Sequence, residues 1–145
     1  MAGLYRTGKS YLLNRVILNR SGGFGVGPTV NPCTKGLWLW GEPLSVGGRT
    51  VLVVDTEGLG ALDEESNHDM KIFCLAVLLS SNFIYNSVGS IDEPALQTLS
   101  LVLNLIASID TEAYAHRPSF LWVVRDFALQ LINDRGQHIT PSQYL

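Results

Sequence analysis

The sequence predicts an α/β fold with a mostly parallel central sheet and helices on both faces. The eight residues GLYRTGKS at positions 3 to 10 match the pattern G-x-x-x-x-G-K-[ST] in full, and this pattern normally joins a strand to a helix. Two apolar segments, residues 50–54 and 119–124, each run into a charged residue, as strands do at the ligand-binding edge of such a sheet. Segments with helical periodicity alternate with the strands, which favours a parallel sheet covered by helices.

Composition limits the class of protein. The chain has 145 residues, of which 46% are apolar and 16% charged, enough for one core of ordinary domain size. A net charge of -3 and the lack of a Lys/Arg run argue against a nucleic-acid partner. Cys33 and Cys74 have no metal-like spacing, which indicates a reducing compartment. The longest apolar run, residues 72–79, is shorter than the roughly 18 residues of a membrane span, and no signal-peptide pattern is visible. We therefore expect a cytoplasmic protein.

The loop at positions 3 to 10 predicts a phosphate-binding site. Gly3 and Gly8 lack a Cβ atom and permit positive φ, so the backbone can approach a phosphate closely. Apolar residues recur at helical spacing over residues 9–18, so the free N–H groups of a helix N-terminus would face the anion. Lys9 and Ser10 carry the ammonium and hydroxyl groups that a nucleotide phosphate and its Mg²⁺ require. A simple turn before a helix would explain the glycines but not Lys9.

A second motif follows in the next strands. Residues 36–40 and 50–54 are predicted strands, with a hairpin turn at Gly47 and Gly48 before the second. The second strand ends at Asp55 in the run DTEG, which resembles the D-x-x-G element whose carboxylate helps to hold Mg²⁺ across from a phosphate loop. A capping aspartate before a turn is the alternative. That alternative loses weight because the two motifs occur in the order that a nucleotide site requires.

The second half of the chain supplies further layers of the fold. It contains a predicted buried helix over 69–79, a strand over 82–85, an amphipathic helix over 93–109 and a strand over 119–124. The residues expected on one face of the amphipathic helix are Leu96, Leu99, Leu103 and Ile106. Arg125 and Asp126 end the last strand, where charged residues are candidates for a ligand site. A surface salt bridge is the alternative for this pair.

Several of these segments together resemble one family. The matching segments are GLYRTGKS at 3–10, TKGLWLW at 34–40, DTEGLG at 55–60, LAVLLSSNFIYNS at 75–87 and VVRDF at 123–127. They strongly resemble the GTPase domain of guanylate-binding proteins, which are large, dynamin-like GTPases. The atlastins are similar in plan, but DTEGLG favours the guanylate-binding branch. The resemblance implies a P-loop NTPase fold, GTP and GDP as ligands, Mg²⁺ as cofactor and a homodimer that forms through the nucleotide face.

The resemblance also implies roles for individual residues. Its catalytic residues are Arg6, Lys9, Thr34 and Glu57. Arg6 resembles an arginine finger internal to the loop, and Glu57 belongs to the polar network near the attacking water. The implied metal contacts are Ser10, Thr34 and, in the outer shell, Asp55. Asp126 would select guanine by accepting two hydrogen bonds from its N1–H and exocyclic amine. The implied nucleotide contacts are Gly3, Tyr5, Arg6, Thr7, Gly8, Lys9, Ser10, Tyr11, Thr34, Asp55, Gly58, Arg125 and Asp126. A solvated arginine and an ordinary loop threonine are the alternatives for Arg6 and Thr34.

Two departures from the family pattern qualify the functional prediction. Pro32 stands where the resemblance leads us to expect a serine, and proline has no hydroxyl to orient a water. Only Met1 and Ala2 precede the loop, so we expect residues 1–145 to form a partial large-GTPase domain without its first strand and its C-terminal part. Membrane association would then involve only regions outside this chain. The alternative function is a catalytically weak nucleotide-binding or scaffolding remnant, and a third possibility, an ATP-using P-loop enzyme, is disfavoured by the Arg-Asp pair.

Overall fold

The computed structural model describes residues 1–27, 34–60, 66–109 and 118–144. Helices and strands alternate along these residues, which confirms the predicted α/β class. In chain order the elements are β1 (Ala2–Gly3), α1 (Lys9–Leu12), a π-helical segment that continues α1 (Leu13–Ile17), β2 (Leu37–Leu39), β3 (Leu44–Val46), β4 (Arg49–Val51), β5 (Val54–Thr56), α2 (Ser66–Leu79), β6 (Asn82–Val88), α3 (Glu93–Ile109), β7 (Ser119–Arg125) and α4 (Pro141–Tyr144).

A parallel sheet forms the centre of the fold. Its three strands lie in the order β1-β6-β7, and both pairings are parallel. Strands β2 and β5 pair antiparallel, and β3 and β4 form the hairpin predicted around Gly47 and Gly48. The segment from the start of β5 to Leu59 runs beside β1, since the Met1 amino group donates to the Val54 carbonyl at 2.7 Å and Leu4 forms a parallel bridge with Leu59. The ends of β1, β5, β6 and β7 therefore meet near the glycine-rich loop.

The first strand, which was expected to be absent, is present in the structure as two residues. Ala2 and Gly3 pair in parallel with Tyr85 and Asn86 of β6, so a two-residue strand leads into the loop and ends at its first residue. Both residues are buried, and Ala2 belongs to the larger apolar cluster. These two residues are enough to align the loop with the sheet because each contributes to the backbone ladder.

Apolar clusters lie on both faces of the sheet. Phe83 and Tyr85 of β6 pack with residues of α2 and α3 in the larger cluster. Ile84 points to the opposite face and packs against the second cluster, which contains Leu13 of the π-helical segment and Phe24. This alternation follows from the period of two in a strand. The predicted layers, with helices on both faces, are confirmed.

Several element boundaries differ from the prediction. The predicted strand over 50–54 is two strands, β4 and β5, because the chain changes partner at Leu52 and Val53. Asp55, predicted to end the strand, is consequently the middle residue of β5. Strand β6 extends to Val88, three residues beyond the predicted end, since Asn86 and Ser87 stay buried and continue the pairing with β7.

The predicted apolar face of α3 is confirmed at Leu99 but wrong at Leu96 and Leu103. The core contacts of α3 come from Ala95, Leu99 and Val102, whereas Leu96 and Leu103 are about half exposed. Both sets of residues have helical spacing, so periodicity could not choose between them. The small Ala95 side chain permits a close approach to the core, and packing therefore selects this face. The side chain of Ile106 lies outside the described residues, as does Pro32.

None of the helices within the described ranges combines the length and the apolar character that crossing a bilayer requires.

Candidate functional site

The glycine-rich loop is closely packed at two of its glycines, against backbone at Gly3 and against a side chain at Gly8. A Cβ atom on Gly3 would overlap the carbonyl oxygen of Asn86, and one on Gly8 would overlap the guanidinium group of Arg125. Gly8 also has a φ of 79° and stands directly before α1. The predicted need for glycine at both positions therefore has a structural cause in this chain.

Lys9 lies beneath the loop and is only 6% exposed. Its Nζ atom donates to the carbonyl of Leu4 at 3.1 Å, so the Lys9 side chain connects the two ends of the loop. Burial lowers the pKa of Lys9 to about 8, while the nearby carboxylates of Asp55 and Glu57 act in the opposite direction. A buried cation with a depressed pKa is held at an energetic cost, which an incoming anion would reduce.

Three oxygen-bearing side chains meet at the start of α1. The hydroxyl of Ser10 donates to Oδ2 of Asp55 at 2.5 Å and lies 3.4 Å from the hydroxyl of Thr34. Asp55 is fully buried, and burial raises the pKa of its carboxyl, an effect opposed by the Ser10 hydrogen bond and the charge of Lys9. The structure thus brings together the three residues predicted as metal contacts.

These residues fit a magnesium ion. Oδ1 of Asp55 is buried and has no hydrogen-bond partner among the described residues. The donors are hydroxyl and carboxylate oxygens, the ligands that Mg²⁺ prefers, and Mg²⁺ at nucleotide sites commonly uses few protein ligands together with phosphates and waters. Within the described ranges no group of three or more His, Cys, Asp or Glu side chains forms a metal cluster. The site is therefore suited to an ion that takes some of its oxygen ligands from the protein and the others from a bound phosphate and water.

The carboxylate of Glu57 connects two other parts of the site. Its Oε2 accepts the N–H of Gly36 at 2.6 Å, and the Glu57 N–H donates to the carbonyl of Gly36 at 2.9 Å. Its Oε1 lies 2.5 Å from Nε2 of His68 in α2. Glu57 itself is 4% exposed. The segment that carries Thr34 is thus attached to the residue predicted to lie near the attacking water.

The carbonyl of Thr7 anchors the loop to the sheet. It accepts hydrogen bonds from Nδ2 of Asn86 at 2.9 Å and from Nη1 of Arg125 at 3.0 Å. Arg125, predicted as a nucleotide contact, therefore supports the loop. Sequence reasoning missed Asn86 and also missed His68. The signal for Asn86 was a polar residue within an apolar strand, which indicates a buried hydrogen-bonding role, whereas no local pattern pointed to His68.

The remaining predicted contacts lie around the rim. The Arg6 side chain is exposed, has a backbone φ of 59°, and lies 5.9 Å from the centre of the Tyr5 ring. Gly58 packs against the Tyr5 backbone so closely that a Cβ atom would overlap it. Tyr11 is half exposed, and its ring lies 5.6 Å from the guanidinium carbon of Arg15. Arg6 is thus the solvent-exposed arginine of the loop.

Asp126 occupies the carboxyl end of β7. It is exposed and has a φ of 53°, one of three non-glycine residues with positive φ in the described ranges. Asp tolerates this conformation better than most residues. Its neighbour Arg125 contacts the loop, so the base-recognition candidate lies at the same sheet edge as the phosphate-site candidates.

Comparison with known proteins identifies the family of this chain. The model of the guanylate-binding protein N-terminal domain matches residues 1–145. The chain is 44% identical to human guanylate-binding protein 4 over 160 aligned residues, covering the whole chain and 25% of that protein. It is 42% identical to mouse guanylate-binding protein 1 and 41% identical to the human protein of that name, covering 27% of each. The chain thus spans about a quarter of the length of these relatives. Because the family model matches the whole chain and relatives more than 40% identical align along all of it, the chain belongs to the guanylate-binding protein family.

Proposed function

We propose that this chain forms the GTP-binding and GTP-hydrolysing domain of a guanylate-binding-protein-like large GTPase. The observation that carries the proposal is the burial of Lys9 beneath the loop beside the oxygens of Ser10, Thr34 and Asp55. A buried cation next to hard oxygen ligands suits a polyphosphate and its divalent ion. The names of the relatives, which are guanylate-binding proteins, support guanine as the base.

In this proposal the phosphates bind against the loop and the first turn of α1. The loop amides and the Lys9 ammonium contact the β- and γ-phosphates. The phosphate charge then offsets the cost of burying the Lys9 cation. Ser10 and Thr34 would hold Mg²⁺ with Asp55 behind them, and the ion would neutralise phosphate charge when bound. Glu57 orients the attacking water, and Arg6, which is exposed, stabilises the charge that develops during transfer.

Base selection is assigned to Asp126. Its carboxylate accepts two hydrogen bonds from the edge of guanine, and adenine has no such pair of donors on that edge. Its position at the end of β7, one residue after the loop contact Arg125, supports this role. The proposal extends to nucleotide-dependent homodimerisation through the same face and to a cytoplasmic location.

The test compares nucleotide selectivity in the wild type and in Asp126→Asn. We expect the wild type to bind GTP in the presence of magnesium far more tightly than ATP. Asp126→Asn should lose about 2 kcal/mol or more of guanine affinity and gain affinity for xanthosine triphosphate, because the amide exchanges an acceptor for a donor. Asp134→Asn, which changes another exposed aspartate, should behave as the wild type. Unchanged GTP affinity in Asp126→Asn would refute the assignment.

A nucleotide-binding domain with little turnover is the second candidate, and Pro32 favours it. Proline offers no hydroxyl at the position where the family pattern leads us to expect serine. Phosphate release measured together with equilibrium binding separates the two candidates. Tight binding with negligible release in the wild type, and restored release in Pro32→Ser, would support the second one.

A further inference from the structure

We propose that His68 is a positioning residue that holds the Glu57 carboxylate in place against the segment following Thr34. This inference rests on the proposed function and deepens it. The family resemblance assigns Glu57 to the network near the attacking water, but no sequence pattern assigns a role to His68. The two residues become neighbours only because α2 packs beside β5.

The contact geometry places Glu57 between two elements. One carboxylate oxygen accepts the Gly36 N–H at 2.6 Å, and the other lies 2.5 Å from Nε2 of His68. The Glu57 side chain is 6% exposed, whereas that of His68 is 44% exposed. Because Glu57 is buried, each partner that it retains strongly influences its orientation. His68 lies at ion-pair distance from the second oxygen, Oε1, which accepts no hydrogen bond among the described residues.

The first turn of α2 is suited to this task because it holds the segment 57–60 at two points. His68 contacts Glu57 at the start of the segment, and Oδ2 of the next residue, Asp69, accepts the N–H of Gly60 at its end at 2.5 Å. Consecutive residues of one helix thus contact both ends of a four-residue segment. The helix provides a rigid support for the loop that carries Glu57.

The expected consequence of losing His68 is a misplaced carboxylate. Without this partner the Glu57 carboxylate can rotate, which weakens its hydrogen bond to Gly36 and loosens the nearby Thr34. His68 does not contact Lys9 or Asp126, which are proposed to contribute most to nucleotide affinity. The loss should therefore reduce the rate of hydrolysis more than it reduces binding.

The first experiment measures steady-state GTP hydrolysis by the full chain. We expect His68→Ala to lower kcat about tenfold with KM within about twofold of the wild type. His68→Gln, whose amide nitrogen can take the place of Nε2, should recover most of the activity. Asn67→Ala, which changes the exposed preceding residue, is the matched control and should keep the wild-type kcat. If His68→Ala fails to fold, His68→Leu, similar in size and without a donor, replaces it.

The second experiment is independent of activity. Hydrogen exchange of the peptide spanning residues 35–39 is measured by mass spectrometry in the nucleotide-free full chain. Exchange at Gly36 should be faster in His68→Ala than in the wild type, in His68→Gln and in Asn67→Ala. Equal exchange in His68→Ala and the wild type would overturn the inference. An unchanged kcat, or equal loss of kcat in the Ala and Gln variants, would overturn it as well. If the wild type hydrolyses no GTP, the proposed function fails, and exchange at Gly36 alone decides the role of His68.

Discussion

Replacing Lys9 with methionine should stabilise the nucleotide-free fold while it destroys nucleotide binding. The aliphatic part of lysine is retained in size, but the buried charge is removed. Lys9 is 6% exposed, and burial lowers its pKa from 10.5 to about 8. A tenfold change in a proton-binding constant corresponds to about 1.36 kcal/mol. The charged form of Lys9 therefore costs the folded state about 3 kcal/mol relative to a lysine in water.

The pH dependence follows from the direction in which the pKa of Lys9 moves on folding. Between about pH 8 and 10.5 the unfolded chain binds more protons at this site than the folded chain, so the free energy of unfolding rises with pH. Below pH 8 both states are protonated and the whole cost is present. Lys9→Met removes both the cost of burying the charge and the rise of the free energy of unfolding with pH. The gain at pH 7 should be about 1–3 kcal/mol, since Asp55 loses its neighbouring cation and offsets part of it.

Urea unfolding followed by intrinsic fluorescence tests this expectation. Wild type and Lys9→Met are compared at pH 7, 8, 9 and 10 without nucleotide, and the difference between their free energies of unfolding is plotted against pH. The difference should be largest at pH 7 and should shrink toward pH 10. Titration with GTP and magnesium should show binding to the wild type only. A variant less stable than the wild type at pH 7, or a difference independent of pH, would refute the reasoning.

Three further substitutions test the loop and its support. Arg6→Ala should lower GTP turnover on the order of 10³-fold with little change in nucleotide affinity, and equal losses in both would contradict the finger role. Gly3→Ala should cost about 3 kcal/mol or more in urea unfolding because its Cβ would overlap a backbone carbonyl, whereas Gly22→Ala, with open space around it, should be nearly neutral. Asn86→Ala should destabilise the fold by about 1–3 kcal/mol and weaken GTP binding, because the Thr7 carbonyl loses one of its two donors. Unchanged binding and unfolding in this variant would show that the hydrogen bond does not support the loop.

Local patterns correctly predicted most of the elements. The turn at Gly47 and Gly48 and α3 over 93–109 occur as predicted, and the predicted helix after the loop is α-helical only over Lys9–Leu12 before it becomes π-helical. Each of these features depends on residues within a few positions of one another, such as glycines that permit positive φ or apolar residues at helical spacing. The predicted strand over 50–54 failed because its division into β4 and β5 depends on two different partners elsewhere in the chain.

The sequence by itself determined the loop chemistry of Lys9 and Ser10, the fold class and the family. It could not determine which leucines of α3 face the core, or that Asn86 would hold the loop. It also could not reveal that His68 would reach Glu57. These features depend on contacts between residues distant in the chain, such as the 79 positions between Thr7 and Asn86. A local pattern records the conformation that a segment prefers, whereas only the packed sheet and helices decide which side chains become neighbours.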